Sequence, residues 1–292
     1  MKIKKLISAL VLGSMLVGLS GCNITDFSAE NLLRPPKAVG DEAEIEQLIA
    51  KTADSGYTLK YPKNGKFRSA IIMTDLDGND SNEAVAFFRN SVETSSGHML
   101  VMYSKDNSWK IASDNIFETT DIDSVDFADL TGNGKAEIIV NSTTYTPNVG
   151  KLSCYSYSEG KTNEVGSGQS CSSFVTGDFD NDGTSEIMSL VLYTTENEAL
   201  ASMLDYNEDS KSLYAKAMAN MDPNVVKYKN IAVTKLDNDI TGIVVDGTSA
   251  NEVTNTQVIF YSRDLAILRN PLFKEKAKNI TQRSSQVICS DI

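Results

Sequence analysis

The chain has 292 residues, of which 41% are hydrophobic, and a formal net charge of −12 at pH 7. That length is ample for a sizeable core. The acidic balance excludes nucleic acid as a favoured partner, because phosphate backbones bind to basic surfaces. A single histidine, His98, excludes a histidine-rich metal site.

The first 22 residues have the pattern of an export signal. Three lysines between positions 2 and 5 precede an apolar stretch over 6–19, which is too short to cross a hydrocarbon core of about 30 Å. Leu19-Ser-Gly-Cys22 follows, and the whole segment looks like a bacterial lipoprotein signal. The resemblance implies that residues 1–21 are a signal peptide, that Cys22 is lipidated, and that the mature chain is anchored to the outside of a bacterial cell membrane. An ordinary leader with a chance cysteine is the alternative.

Two short segments separate this signal from the rest of the chain. Residues 22–40 contain Pro35-Pro36 and no hydrophobic periodicity, which predicts a flexible tether after the lipidated cysteine. Residues 41–66 predict a short helical segment, since Asp41 and Glu44 form a capping box and apolar residues share one face as far as Ala53. We expect this helix to pack on the repeats that follow.

From residue 67 onward one acidic loop recurs. Its copies begin at positions 75, 129, 178 and 235, and a fifth begins at 291, so the period is about 50 to 57 residues. Apolar or β-branched runs of strand length flank the loops, such as 187–192 after the third copy. With further strands in each unit, the pattern predicts four strands per repeat. Units of this size are typical of propeller blades.

The loops offer oxygen ligands at positions one, three, five and nine. Position six, occupied by Gly183 in the third copy, permits the positive φ of a sharp turn. Carboxylates crowded around one turn repel each other unless a hard cation such as Ca²⁺ binds them. The candidate ligands are Asp75, Asp77, Asn79 and Glu83 in the first loop, Asp129, Asn133 and Glu137 in the second, and Asp178, Asp180, Asp182 and Glu186 in the third.

The fourth copy has lost this chemistry. It places Lys235 at position one, Ile240 at position six and Ile243 at position nine, so we predict that it binds no metal. Up to three structural calcium ions are therefore expected, with the second loop the weakest because Thr131 replaces an acid. An EF-hand does not fit, because the acid stands at position nine and the flanks are strand-like. The alternative is that Asp, Asn and Gly simply favour turns.

The D-x-D-x-D-G-x-x-[DE] pattern of the third loop, between apolar strands, resembles the FG-GAP and VCBS-type repeats. In integrin α-subunits and many bacterial surface proteins these repeats form calcium-binding β-propellers. The resemblance covers about residues 67–292 and implies that each loop joins the first two strands of a blade, with a structural rather than catalytic ion. Asp80, Thr131 and the fourth copy depart from the family pattern.

We therefore predict an all-β fold, a β-propeller of four-stranded blades with a short N-terminal helix. The segment 284–292 resembles the segment 172–179, so the sequence predicts about four complete blades and the first strand of a fifth. Such a propeller would be an incomplete ring, truncated at the carboxyl end.

Three cysteines remain after Cys22. Cys154 and Cys171 are the candidate disulfide pair, because both lie in the second unit or at its junction with the third, and an extracytoplasmic location permits the bond. Free thiols are the alternative. Their spacing matches no zinc motif.

No enzyme is predicted. His98 lies in an apolar run, where a histidine is typically structural, and no serine or cysteine stands in a recognisable nucleophile context. Our hypothesis is a lipid-anchored, calcium-stabilised propeller that binds an extracellular protein or glycan. The alternatives are a structural component of envelope assembly and a carbohydrate-active enzyme that uses paired carboxylates.

Overall fold

A computed structural model describes residues 40–269, apart from 55, 93, 94, 120, 238 and 239. The chain divides into two compact units, 1–43 and 44–292, and the first is described only at its last four residues. The predicted signal peptide, Cys22, the tether up to residue 39 and the fifth loop copy lie outside the described residues.

One helix, α1 (Asp41–Ala53), precedes the strands of the described chain. Ile45, Ile49 and Ala53 stand four residues apart and are all buried, which gives the helix one apolar stripe. The stripe packs against a cluster that includes Phe88 and Leu100, and Glu44 Oε1 accepts a 3.0 Å hydrogen bond from the backbone N–H of Trp109. The structure thus contains the short N-terminal helix that the sequence predicts, and this helix lies against the first sheet.

Seventeen strands in four antiparallel sheets make up most of the described chain. The first sheet comprises β1 (Tyr57–Leu59), β2 (Ile71–Thr74), β3 (Glu83–Asn90), β4 (Gly97–Lys105) and β5 (Ser108–Phe117). The second comprises β6 (Ile122–Ala128), β7 (Glu137–Thr143), β8 (Gly150–Ser158) and β9 (Lys161–Cys171). The third comprises β10 (Ser173–Gly177), β11 (Glu186–Tyr193), β12 (Glu198–Asn207) and β13 (Ser212–Asn220). The fourth comprises β14 (Val225–Asp237), β15 (Ile240–Ser249), β16 (Thr254–Tyr261) and β17 (Leu265–Arg269). The all-β class is confirmed, and the last three sheets have the four strands per repeat that the sequence predicts, whereas the first has five.

The last three sheets are meanders in which chain neighbours pair, and in each of the first three sheets the strand that follows the acidic loop is the most buried. In β3, β7 and β11 the first six residues are all buried, on both faces of the sheet. These strands are near-continuous apolar runs because each is covered from two sides. The edge strand β9 is largely polar instead, and both β9 and the more apolar edge strand β13 leave much of their surface in contact with water.

Consecutive sheets pack face to face through separate apolar clusters. Phe87 of the first sheet shares a cluster with Ile138 of the second, and the opposite face of the second packs its Ile139 against the third. A further cluster joins the third sheet to the fourth. Among the described residues, the main contacts between sheets join each sheet to the next one along the chain, and no closed ring of sheets is found.

The first sheet contains a departure from the simple repeat. The segment 41–66 contains a strand as well as the helix. This strand, β1, pairs with the end of β3 (residues 88–90), whereas β2 pairs with the beginning of β3 (residues 83–86). The segment between β1 and β2 then crosses to the second sheet, where Lys60 and Lys63 lie 2.8 and 2.9 Å from the carboxylate of Asp121. Hydrogen bonds from these two lysines lower the pKa of Asp121 to about 2. This ion-paired crossing joins the first two sheets.

Candidate metal centre

Each of the first three acidic loops joins two consecutive strands that pair with each other; these are the first two strands of the second and third sheets, whereas in the first sheet β1 precedes them. They lie between β2 and β3, between β6 and β7, and between β10 and β11. In each loop the position-nine glutamate is the first residue of the second strand. Successive copies therefore stand at the same place in successive sheets.

The backbone of the loops turns with positive φ at two positions. At position six the predicted positive φ is found in Asp80 at 65°, Gly134 at 80° and Gly183 at 94°. Position four is left-handed as well, in Gly78 at 72°, Gly132 at 71° and Asn181 at 60°. Glycine and asparagine adopt this conformation most readily, so the residues at position four were a readable signal that the sequence reasoning missed.

The position-nine glutamates are buried and hold their loops in the same way. Glu83, Glu137 and Glu186 are 3%, 1% and 0% exposed. In each, Oε2 accepts the backbone N–H of the position-two residue, at 2.9, 2.8 and 2.7 Å respectively. Burial raises the pKa of all three carboxyls, and it raises that of Glu186 to about 8.

The third loop brings its four predicted ligands together. Asp178, Asp180, Asp182 and Glu186 each offer a carboxylate oxygen, and these atoms all lie within 4.8 Å of one another. Oδ1 of Asp178 and Oε1 of Glu186 are buried and accept no hydrogen bond within the described part of the chain. Buried polar oxygens without a partner are costly, and a cation bound among them would satisfy both. This cluster can hold a metal ion.

The first loop forms a second such cluster. Oxygen atoms of Asp75, Asp77 and Glu83 lie within 4.8 Å of one another, and Oδ1 of Asp77 is buried without a hydrogen-bond partner among the described residues. Asp75 also accepts backbone N–H groups, including that of Gly78 at 2.8 Å. The side-chain oxygen of Asn79 accepts the N–H of the residue two positions later. This loop therefore has a preformed turn with three convergent carboxylates.

The second loop differs because of Thr131. Its hydroxyl donates a 3.3 Å hydrogen bond to Oε1 of Glu137, the oxygen whose counterpart in the third loop has no partner. Asp129 accepts the backbone N–H groups of Asn133 and Gly134 at 3.1 and 2.7 Å, which closes the turn. A neutral hydroxyl thus satisfies the buried glutamate, and only two carboxylates remain in the loop.

The fourth copy is a tight hairpin. The ladder between β14 and β15 continues to the pair Asp237 and Ile240, so the strands meet across two residues. Ile240 is part of a strand rather than the pivot of a turn. The physical reason is that a β-branched residue does not tolerate positive φ, so position six continues the strand instead of turning the chain as it does in the other copies.

Lys216 is a residue of the third loop's surroundings that sequence reasoning missed. Its ammonium forms ion pairs with Asp180 and, at 2.8 Å, with Asp205 Oδ2. Lys216 stands 36 residues after Asp180 and approaches it only because the sheet brings β13 to the loop. No local sequence pattern reveals that approach.

The predicted disulfide partners are not brought together. Cys154 and Cys171 are buried, free thiols. In the ladder of β8 and β9, Cys154 lies opposite Gly166 and Cys171 lies opposite Gly150. The two cysteines therefore stand four residues apart along the direction of the strands, which is roughly 13 Å. A disulfide needs Cα atoms roughly 4.4 to 6.8 Å apart, so the register of β8 and β9 keeps the two sulfurs apart.

His98 has a structural environment. It is 6% exposed, its Nδ1 lies 3.0 Å from Asp114 Oδ1, and its ring stacks on Phe88 with centroids 4.8 Å apart. No serine or cysteine accompanies the pair in these contacts. The arrangement fixes β4 against β5, which matches the sequence interpretation of a histidine within an apolar strand.

A polar cleft of about 850 Å³ lies on the described chain, away from the acidic loops. Its lining is rich in hydroxyl and amide side chains, including Asn141, Thr143 and Ser172. Tyr145, which follows the lining residue Thr144, is 88% exposed.

Comparison with known proteins adds no family to these observations. No protein-family model matches the chain, and no curated protein matches it. Among the described residues, no helix is long and apolar enough to span a membrane.

Proposed function

We propose that this chain is a calcium-stabilised β-sheet module, anchored through a lipid on Cys22 to the outside of a bacterial cell membrane, which binds an extracellular protein or glycan. The carboxylate cluster of the third loop is the observation on which the calcium part of this proposal rests. Asp178, Asp180 and Asp182 converge there on the fully buried Glu186.

Calcium fits these loops better than zinc or a redox metal. The candidate ligands are carboxylate and amide oxygens, and hard cations take six to eight such ligands, whereas zinc sites are built from nitrogen and sulfur. The first and third loops would each hold one ion, and the second would hold one weakly or not at all, because Thr131 already satisfies Glu137. The ion would supply structural cross-linking of the turn, with no catalytic step.

Thermal unfolding tests the calcium proposal. A ligand that binds only the folded state stabilises it by mass action and therefore raises Tm. At a free ligand concentration of 100 times Kd, the free energy of unfolding rises by about 2.7 kcal/mol. We expect the wild-type protein to have a higher Tm in millimolar CaCl₂ than in chelator. Most of this difference should disappear in the double variant Asp180→Ala/Asp182→Ala. Asp126→Ala, on β6 outside the loops, serves as the control and should keep the rise. A Tm that is indifferent to both calcium and chelator would refute the proposal.

The polar cleft supports the ligand-binding part. Its hydroxyl and amide lining suits a ligand rich in hydrogen-bonding groups, and Tyr145, which follows the lining residue Thr144 in the chain, has an exposed ring that could stack on a sugar. Glycan and protein arrays probed with the purified chain in calcium test this directly. We expect binding that Tyr145→Ala and Thr143→Val weaken, and arrays without any saturable signal would contradict it.

Membrane anchoring has its own test. Growth with tritiated palmitate should label the wild-type protein and fractionate it with membranes, and Cys22→Ser should remove the label and release the protein. An unlabelled wild-type chain would show that the cysteine after the apolar stretch is not lipidated.

A further inference from the structure

Lys216 places a fixed positive charge against the third loop. The residue lies on β13, and its side chain is 23% exposed, whereas those of its partners Asp180 and Asp205 are 9% and 11% exposed. Burial lowers the pKa of Lys216, but hydrogen bonds from its ammonium to Asp180 and Asp205 outweigh burial and raise it overall. The lysine is therefore charged at physiological pH.

One partner of this ammonium belongs to the acidic cluster. Asp180 is among the four residues whose carboxylate oxygens lie within 4.8 Å of one another, so Lys216 neutralises a candidate ligand. The first loop offers an internal comparison. Within the part of the chain that the structure describes, no lysine or arginine forms an ion pair with Asp75, Asp77 or Glu83.

We propose that Lys216 is an internal competing cation that sets the affinity of the third loop for divalent metal ions. Without metal, its ammonium bridges Asp180 and Asp205. A divalent ion that enters the loop takes Asp180 as a ligand and leaves the ammonium on Asp205. This inference rests on the proposed calcium function and deepens it, because it names the residue that regulates one of the two sites.

The consequence reverses the ranking that charge alone predicts. The third loop has one carboxylate more than the first in its cluster, and by charge count it should bind calcium more tightly. Lys216 offsets this advantage in two ways, since metal binding must break an ion pair and must place two cations close together in a partly buried site. The first loop has neither cost.

The competition is tested in Asp77→Ala protein, where the first loop is disabled and titration with CaCl₂ reports the third. Lys216→Met removes the charge and keeps the length of the side chain, which lies near the ring of Tyr261. We expect this variant to bind calcium at least about tenfold more tightly than its Asp77→Ala parent. Lys161→Met, at the exposed start of β9, controls for loss of one positive charge and should change the affinity less than about twofold.

A second measurement separates competition from a merely structural role. In chelator, Lys216→Met should unfold at lower temperature than its parent, because Asp180 and Asp205 lose their counter-ion. In saturating calcium the order of the two Tm values should reverse or the difference should vanish. A lysine that only braces the sheet would lower Tm equally in both conditions. Lys216→Gln provides a second variant if the methionine variant fails to fold.

The outcomes distinguish this inference from the proposal beneath it. If the Asp77→Ala parent binds calcium and Lys216→Met binds it no more tightly, the competing-cation inference is wrong and the calcium site stands. If neither protein binds calcium, and Tm of the unmodified chain is indifferent to calcium and chelator, both proposals fall together.

Discussion

The backbone N–H of Ser185 donates a 2.9 Å hydrogen bond to the carbonyl oxygen of Asp129. This bond joins the third acidic loop to the second, and the N–H of Ala136 makes a similar bond of 3.1 Å from the second loop to Leu76 in the first. The loops thus form a hydrogen-bonded row across three sheets. An ion that orders the first or third loop would therefore also support the second, where Thr131 takes the place of an acid.

Gly132 of the second loop lies against Thr184 of the third. A Cβ on Gly132 would lie 2.7 Å from the methyl group of Thr184, and the φ of 71° at Gly132 strains any other L-residue. Gly132→Ala should therefore lower stability by more than the roughly 1 kcal/mol expected from backbone strain alone. Chemical denaturation measures the difference.

A matched pair isolates the contact. Gly134→Ala introduces the same kind of strain at φ 80° but meets no atom within 4 Å, so it should cost less than Gly132→Ala. Thr184→Ser removes the methyl group and keeps the hydroxyl that bonds Asp182 at 2.6 Å. The double variant Gly132→Ala/Thr184→Ser should recover part of the loss. Equal losses at both glycines, with no recovery, would show that the two loops do not press on each other.

The buried Glu186 predicts a pH dependence. Burial, reinforced by the carboxylates of Asp180, Asp182 and Asp205, raises its pKa to about 8 from an ordinary 4.5, although the N–H of Phe179 opposes this. Between these values the folded state binds a proton that the unfolded state has released. The stability that this proton provides is full below pH 4.5 and is lost as the pH rises through 8.

In chelator, Tm should therefore fall between pH 5 and pH 8, by roughly 5 °C or more. Saturating calcium should flatten the profile at neutral and higher pH, because the metal binds the carboxylate form. Glu186→Gln cannot titrate and should show a flatter profile in chelator. If the wild-type and Glu186→Gln profiles run parallel, the glutamate is not the source of the dependence.

The acidic loops show how far sequence reasoning reaches. Position six and the ligand spacing follow from short-range chemistry, since Gly183 and the alternating carboxylates define one turn by themselves. Lys216 could not be predicted, because it approaches Asp180 only through the pairing of β12 with β13 and a register shift at Met203 and Leu204. The position of strand β9 could not be predicted either, although four strands per repeat are expected. Its edge position leaves most of its side chains in contact with water, so it lacks the apolar alternation by which a strand is recognised.

The two cysteines of the second sheet should be free and unreactive in the native state. Burial raises the pKa of the Cys171 thiol to about 12 and also raises that of Cys154. Only the thiolate is nucleophilic. Iodoacetamide at pH 8 should therefore modify neither residue in folded protein and both after unfolding without reductant. Peptide mass spectrometry of the two samples decides this, and a 154–171 cross-linked peptide would restore the disulfide hypothesis.

Helix α1 should behave as part of the β-sheet unit rather than as an appendage. The four sheets stack on one another, so one face of the first sheet has no neighbouring sheet among the described residues, and the helix covers it with Ile45, Ile49 and Ala53. In repeat proteins a terminal element of this kind shields an apolar face from water.

Ile49 is fully buried. Ile49→Ala should lower the free energy of unfolding by about 2 to 5 kcal/mol, whereas Lys51→Ala on the exposed side should change it by less than about 0.5 kcal/mol. The measurement is urea unfolding followed by fluorescence of Trp109, which belongs to the same cluster. If both variants unfold at the same urea concentration as the wild type, the helix contributes nothing to the stability of the first sheet, and its stripe of apolar residues needs another explanation.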